Sequence, residues 1–235
     1  MLIRLFSLIL CLWSTVSIAE ECVVLLHGMA RSDSSMNKME AELEKSGYAV
    51  VNFDYPSTTH DIKSIAKNYI PNAVAQCKPN LSINFVTHSL GGIVLRQYFS
   101  DNKLDRLGRV VMLGPPNKGS EVVDKLKNVP GFEFINGPAG LELGTDKTSV
   151  PNSLGAVTYQ VGVIAGSSTI NPILSQMLPN PDDGKVSVEN TKVEGMTDHI
   201  IMPVSHPFLM RDDAVIQQVK IFLKKGTFQH HRVSL

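Results

Sequence analysis

Two hydrophobic periods take turns along the chain. Cys22-Val23-Val24-Leu25-Leu26 is an unbroken apolar run, the pattern of a strand covered on both faces. Over residues 34–46, Met36, Met39 and Leu43 recur at helical spacing with charges between them, and Gly47 offers a stop. Residues 48–53 read as a second strand, closed by Asp54-Tyr55-Pro56. Ile62, Ile65, Ala66, Tyr69 and Ile70 predict a second helix, with Pro71 a candidate kink or break before Cys77. Leu81, Ile83 and Phe85 then alternate with polar neighbours as a strand does, and Ile93, Val94, Tyr98 and Phe99 have helical spacing. Residues 109–113, 158–165 and 199–204 predict three more strands, and 211–225 a terminal helix with Ala214, Val215, Val219 and Phe222 inward. The polar tail from Gly226 is expected to fray.

Strand alternating with helix predicts an α/β fold: about six mostly parallel strands with helices on both faces. One region breaks the pattern. Residues 115–156 are rich in Gly, Pro, Asn and Ser and show no strand. Within them Val122, Val123, Leu126, Val129, Phe132 and Ile135 are spaced to make one greasy side. That side reads equally as a lid over a site or as a cap helix packed on the core.

Length and composition narrow the picture. A chain of 235 residues, 43% hydrophobic, suits one domain with a sizeable core. Acidic and basic residues balance at 22 each, which gives no reason to expect a nucleic-acid partner. Residues 1–19 stand apart: Arg4, an apolar run over 5–16, then Ser17-Ile18-Ala19. This reads as a secretory signal peptide cleaved before Glu20, leaving a domain of residues 20–235. The run is short for a membrane anchor. The expected location is therefore periplasmic or secreted. Export places Cys22 and Cys77 in an oxidising compartment, where a pair is expected to be bridged. Cys22 opens the first strand and Cys77 ends the helix before the central one, so both belong at one edge of the sheet. Two unlinked buried thiols are the alternative.

The chemistry centres on Phe85-Val86-Thr87-His88-Ser89-Leu90-Gly91-Gly92, where a strand turns straight into a helix. Such a turn pushes the serine hydroxyl out at the tip of the sheet, with a helix N-terminus behind it. Ser-x-Gly alone also fits an ordinary strand-to-helix turn. The stretch resembles the Gly-x-Ser-x-Gly nucleophile elbow of the α/β-hydrolase superfamily, with Thr87 in the place of the first glycine. The resemblance is to bacterial lipase- and esterase-like serine hydrolases, in a minimal form without the family's first two strands, and it covers most of residues 22–225.

It implies a chain order of serine, acid, histidine. His206 follows the last strand and is the expected base, ahead of His199 at the start of that strand. His230 and His231 read as a solvated end. Asn180-Pro181-Asp182-Asp183-Gly184-Lys185-Val186 resembles the Asp-Gly-x-Val turn of bacterial lipases, which makes Asp183 the acid that orients the histidine. Asp182 is its rival, and turn chemistry is the plain reading of both. Ile173, Leu174, Met177 and Leu178 suit a short helix beside the site. His27-Gly28-Met29 looks like the family's His-Gly-x segment, so the backbone amides of Met29 and Leu90 are the implied oxyanion donors. His27 and His88 read as structural or pocket-lining. No metal-ligand cluster is apparent and no cofactor is called for. Asp212 and Asp213 read as a helix cap before a calcium site.

The resemblance thus implies a carboxylic ester hydrolase, a lipase or carboxylesterase, acting on small-molecule or lipid esters with transient contact to a lipid surface. Amide or thioester hydrolysis, acyl transfer, and a non-catalytic binding protein of the same fold are the competing expectations. Oligomeric state is not legible.

Overall fold

The computed structural model describes residues 21–230. The stretch read as a signal peptide lies outside them, as does His231. Six strands form one sheet: β1 (Glu21–Leu26), β2 (Ala49–Phe53), β3 (Ser82–His88), β4 (Leu107–Leu113), β5 (Val161–Gly166) and β6 (Asp198–Met202). Their order is β2-β1-β3-β4-β5-β6, and every neighbouring pair is parallel.

Side-chain alternation divides the core between two faces. Val24, Leu26, Phe85 and Met112 pack with α2 (Ile62–Ala75) and α3 (Leu90–Asp101). Val23, Leu25, Val86 and Val111 pack with α1 (Asn37–Glu44) and α8 (Asp213–Lys225). The chain leaves β1 toward one face and β3 toward the other. These adjacent strands therefore form the switch point at which an open α/β sheet leaves a crevice beyond its carboxyl ends.

Several boundaries differ from expectation. α2 runs through Pro71 without a break; Pro71 and Lys67, whose carbonyl loses its helical partner there, are both exposed residues. Cys22 and Cys77 are joined by a disulfide, with Cα atoms 5.9 Å apart. The tail does not fray at Gly226. Phe228 is buried against Phe222, and the backbone amides of Phe228 and Gln229 donate to Asp198 and Gln218. The irregular region is helical in pieces: α4 (Glu121–Leu126), α5 (Phe132–Leu141) and α6 (Val150–Ser153). A fourth short helix, α7 (Pro172–Ser175), follows β5. Among the described residues no helix is long and apolar enough to cross a membrane.

Candidate active site

β3 ends at His88 and α3 begins at Leu90, so Ser89 alone makes the turn, at φ 51° and ψ −119°. A positive φ at a residue with a Cβ costs about 1–3 kcal/mol and persists only where the surroundings hold it. Here the Ser89 amide donates to the Leu113 carbonyl at 2.9 Å, and the Ser89 carbonyl accepts from Gly92 at 3.0 Å. Space also fixes the turn. A Cβ on Gly91 would lie 2.8 Å from the carbonyl oxygens of both Leu26 and His27. A Cβ on Gly28 would lie 2.6 Å from His88 Nδ1. The loop after β1 is thereby pressed against the elbow.

The loops after β5 and β6 meet the elbow from the other side. His206 Nε2 lies 2.9 Å from Ser89 Oγ, and His206 Nδ1 lies 2.7 Å from Asp183 Oδ2. Asp183 is buried, and its other oxygen accepts from the amides of Lys185 (3.0 Å) and Val186 (2.8 Å). His206 is held through its backbone as well. Its amide donates to the Asp183 carbonyl at 3.0 Å, and its carbonyl accepts from His88 Nε2–H at 3.0 Å. Because a carbonyl can only accept, His88 carries its proton on Nε2, and Nδ1 is buried without a partner among the described residues. Burial, helped by neighbouring His206, holds the His88 pKa well below the usual histidine value, so the ring is neutral.

The rival residues lie elsewhere. Asp182 accepts from Ser175 Oγ (2.7 Å) and from the Gly184 amide (2.7 Å), which is turn chemistry. His199 sits at the start of β6 against Thr191 Oγ1, and burial lowers its pKa. His230 is exposed yet lies 2.9 Å from Asp198, so it is paired rather than merely solvated. Asp212 caps α8 by accepting from the amides of Ala214 and Val215.

Leu90 is the first residue of α3, so its N–H has no intrahelical acceptor. The Met29 amide likewise meets no acceptor among the described residues. Beside it, His27 stacks on Tyr55 with centroids 4.2 Å apart and places Nε2 3.0 Å from Asp54. The Tyr55 hydroxyl donates to the His27 carbonyl at 2.5 Å, bracing the loop.

A cavity of about 460 Å³ opens over Ser89 and His206. Val122, Val123, Phe132 and Leu143 line it from the irregular region, with Ile170 and Leu174 from the segment around α7. Arg31 and Lys185 line it too. Those two, Leu143 and Ile170 have no part in the site as read from the sequence. Position along the chain was the available signal, since Arg31 stands two residues past Met29 and Lys185 two past Asp183.

No curated protein sequence matches the chain. Among solved structures, the mature lipase BlEst2 of Bacillus licheniformis superposes with a TM-score of 0.64 at 17% identity, over 89% of this chain and 93% of that one. The metagenomic carboxyl esterase MGS0156 gives 0.62 at 17% identity over 80% and 65%. An extracellular α/β-hydrolase from a Paenibacillus species gives 0.56 at 15% identity over 87% and 98%. At these identities the likeness is one of fold, and the fold is that of the α/β-hydrolases. The model of the palmitoyl protein thioesterase family matches residues 22–160. That is more than half of the sequence, and the chain belongs to this family, among hydrolases of the lipase, esterase and thioesterase kind.

Proposed function

We propose that the protein hydrolyses acyl esters and thioesters through an acyl-enzyme on Ser89. The observation that carries this reading is the hydrogen-bonded line from Ser89 Oγ through His206 to Asp183, at 2.9 and 2.7 Å, in front of an apolar cavity. Ser89 Oγ attacks the acyl carbonyl carbon while His206 Nε2 takes its proton. The amides of Met29 and Leu90 receive the oxyanion. The bond to the alcohol or thiol then breaks, and that group leaves with the proton from His206. Water attacks the acyl-enzyme, gives a proton to His206, and the proton returns to Ser89 as the acid departs. Asp183 fixes the histidine tautomer and stabilises the imidazolium.

The family match favours a thioester, and the cavity suits a long acyl chain on either substrate. Residues 115–156 act as the cover over that chain. The disulfide and the N-terminal pattern both support action outside the cytosol. The test is turnover of nitrophenyl esters of increasing acyl length, and of the matching acyl thioesters, by the wild type and by Ser89→Ala. Ser89→Ala is expected to be inert, and peptide mapping is expected to find a fluorophosphonate label on Ser89. Equal turnover by the two proteins would remove Ser89 from the mechanism.

A further inference from the structure

We propose that Arg31 and Lys185 form an anion-binding subsite at the mouth of the acyl cavity, and that the preferred substrate is an acyl ester carrying a phosphate a few bonds from its scissile group. The proposal deepens the acyl-hydrolase reading and rests on it for the word substrate. The two residues belong to the loops that follow β1 and β5, strands separated in the sheet by β3 and β4. They nevertheless line one cavity, together with Ser89 and His206. Among the described residues neither side chain has an ion pair or a hydrogen bond. The one carboxylate in the lining, Asp183, is already committed to His206 and to two amides.

Two unneutralised cations beside an apolar wall are an unfavourable pair while the cavity holds only a neutral chain. Each is sensed by its neighbours. The Lys185 ammonium is held below its usual pKa chiefly by burial, with Arg31 pushing the same way and Asp183 opposing. The Arg31 charge also reaches His88. An anion between the two would relieve this. A phosphate fits best, because guanidinium pairs with it through two parallel hydrogen bonds and ammonium adds a point charge. Position limits the ligand further. Arg31 and Lys185 line the same cavity as Ser89 and His206, so the anion would share that cavity with the reacting carbonyl. A glycerol phosphate ester has its phosphate there, whereas a thioester on a long carrier arm does not.

The test measures binding, so it stands whether or not Ser89 performs the chemistry. The Ser89→Ala protein is titrated calorimetrically with monomeric octanoylglycerol, with 1-octanoylglycerol 3-phosphate and with inorganic phosphate, at low and high salt. The acyl phosphate is expected to bind at least about tenfold more tightly than the neutral ester, roughly the effect of one charge-assisted contact. The gap should shrink at high salt, as an exposed charge contact does. Arg31→Gln and Lys185→Gln should each remove most of it. Both residues are exposed overall, although the Lys185 ammonium end is partly enclosed, and the salt series reads the same contact without any substitution. Equal affinity for the two esters, a gap indifferent to salt and to both substitutions, no binding by either ester, or inorganic phosphate binding as tightly as the acyl phosphate would each overturn the proposal. Failure of the acyl-hydrolase reading shows elsewhere, as ester turnover that survives Ser89→Ala.

Discussion

The two sides of the cavity are built differently. On the sheet side, residues 27–29 and 88–92 leave no room: glycines stand where a Cβ would strike a carbonyl or an imidazole, and nearly every side chain is buried. The cover side is packed unevenly: a Cβ on Gly119 or Gly137 would strike the Gly144 or Thr58 carbonyl, whereas Gly131 and Gly155 have positive φ and nothing within 4 Å, and Val129, Phe134, Ile135, Ile170 and Ile173 stand exposed. Phe134 is 93% exposed. Close packing holds atoms to fractions of an ångström, and short helices on loops do not. The groups proposed for bond-making are thus attached where the sheet holds them, and the acyl chain is met by the part of the fold best able to adapt.

The largest effects should fall on the fixed side. Asp183→Asn would leave its shape in place but disfavour the histidine tautomer needed, and kcat is expected to fall by about 10⁴. Asp182→Asn, one residue away, keeps one acceptor but loses the other of the pair that serves Ser175 and Gly184, and should lower stability by about 1–2 kcal/mol with little loss of kcat. Steady-state kinetics with parallel melts separates the two. If both aspartates behaved alike, the assignment of Asp183 would fail.

Replacing both Cys22 and Cys77 by alanine opens a loop of sequence separation 55, which in the chain-entropy model lowers stability by about 4 kcal/mol. Urea titration reads this, and an unchanged midpoint would show the bridge to be dispensable. Glycine substitution sharpens the contrast between the sides. Gly91→Ala forces a Cβ against two carbonyl oxygens and is expected to cost about 3 kcal/mol. Gly155→Ala meets nothing and should cost about 1 kcal/mol, for its positive φ alone. Equal losses would mean that the elbow has slack its packing does not show.

Legibility in the sequence followed the same divide. The six strands were readable because each is a largely apolar run whose neighbours change period, even at the half-buried edge strands β2 and β6, and the ends shifted by one to three residues. Ser89 and His206 could be named because each follows closely where a strand stops, whereas Asp183, well past the end of β5, is named from the resemblance of its Asp-Gly-x-Val turn. Pro71 misled because tertiary packing keeps α2 helical while Pro71 and Lys67 lie on its exposed side. Phe228 misled because a lone aromatic in a polar tail has no period, although it packs on Phe222. Residues 115–156 stayed obscure because their helices are short, and Pro138 and Gly137 interrupt α5. Arg31 and Lys185 stand beside residues already singled out, but nothing in the sequence links one to the other, and only the folded cavity brings them together.

Acyl selectivity is where the adaptable side should declare itself. Phe132→Ala enlarges the cavity wall and is expected to lower kcat/KM for a dodecanoyl ester relative to a butanoyl ester by about tenfold. Phe134→Ser, at an exposed position outside the cavity lining, should change stability by less than about 0.5 kcal/mol. A loss for the short ester as large as for the long one would place Phe132 in the framework rather than in the acyl wall.

The last comparison concerns protons, and here the two sides act with opposite sign. On the sheet side His88 is buried neutral, with its pKa well below the usual 6.5, and His199 on β6 is lowered in the same direction. The unfolded chain therefore binds more protons than the folded one below pH 6.5. The contribution of these histidines is fully present above that pH and is lost as the pH falls toward their lowered folded values, with a slope of up to about 1.4 kcal/mol per pH unit for each. On the cover side, Glu142 is raised above its usual 4.5, first by burial, although the Ile62 amide donates to it. Its contribution is present below pH 4.5 and is lost as the pH rises through the raised folded value. Urea midpoints taken from pH 7.5 down to about 5 should decline below the usual histidine pKa. His88→Asn should flatten that decline, and Glu142→Gln should remove the opposing contribution and steepen it. A wild-type midpoint that stays level across this range would mean that His88 accepts a proton without unfolding, and that the packing around the elbow yields more readily than its contacts imply.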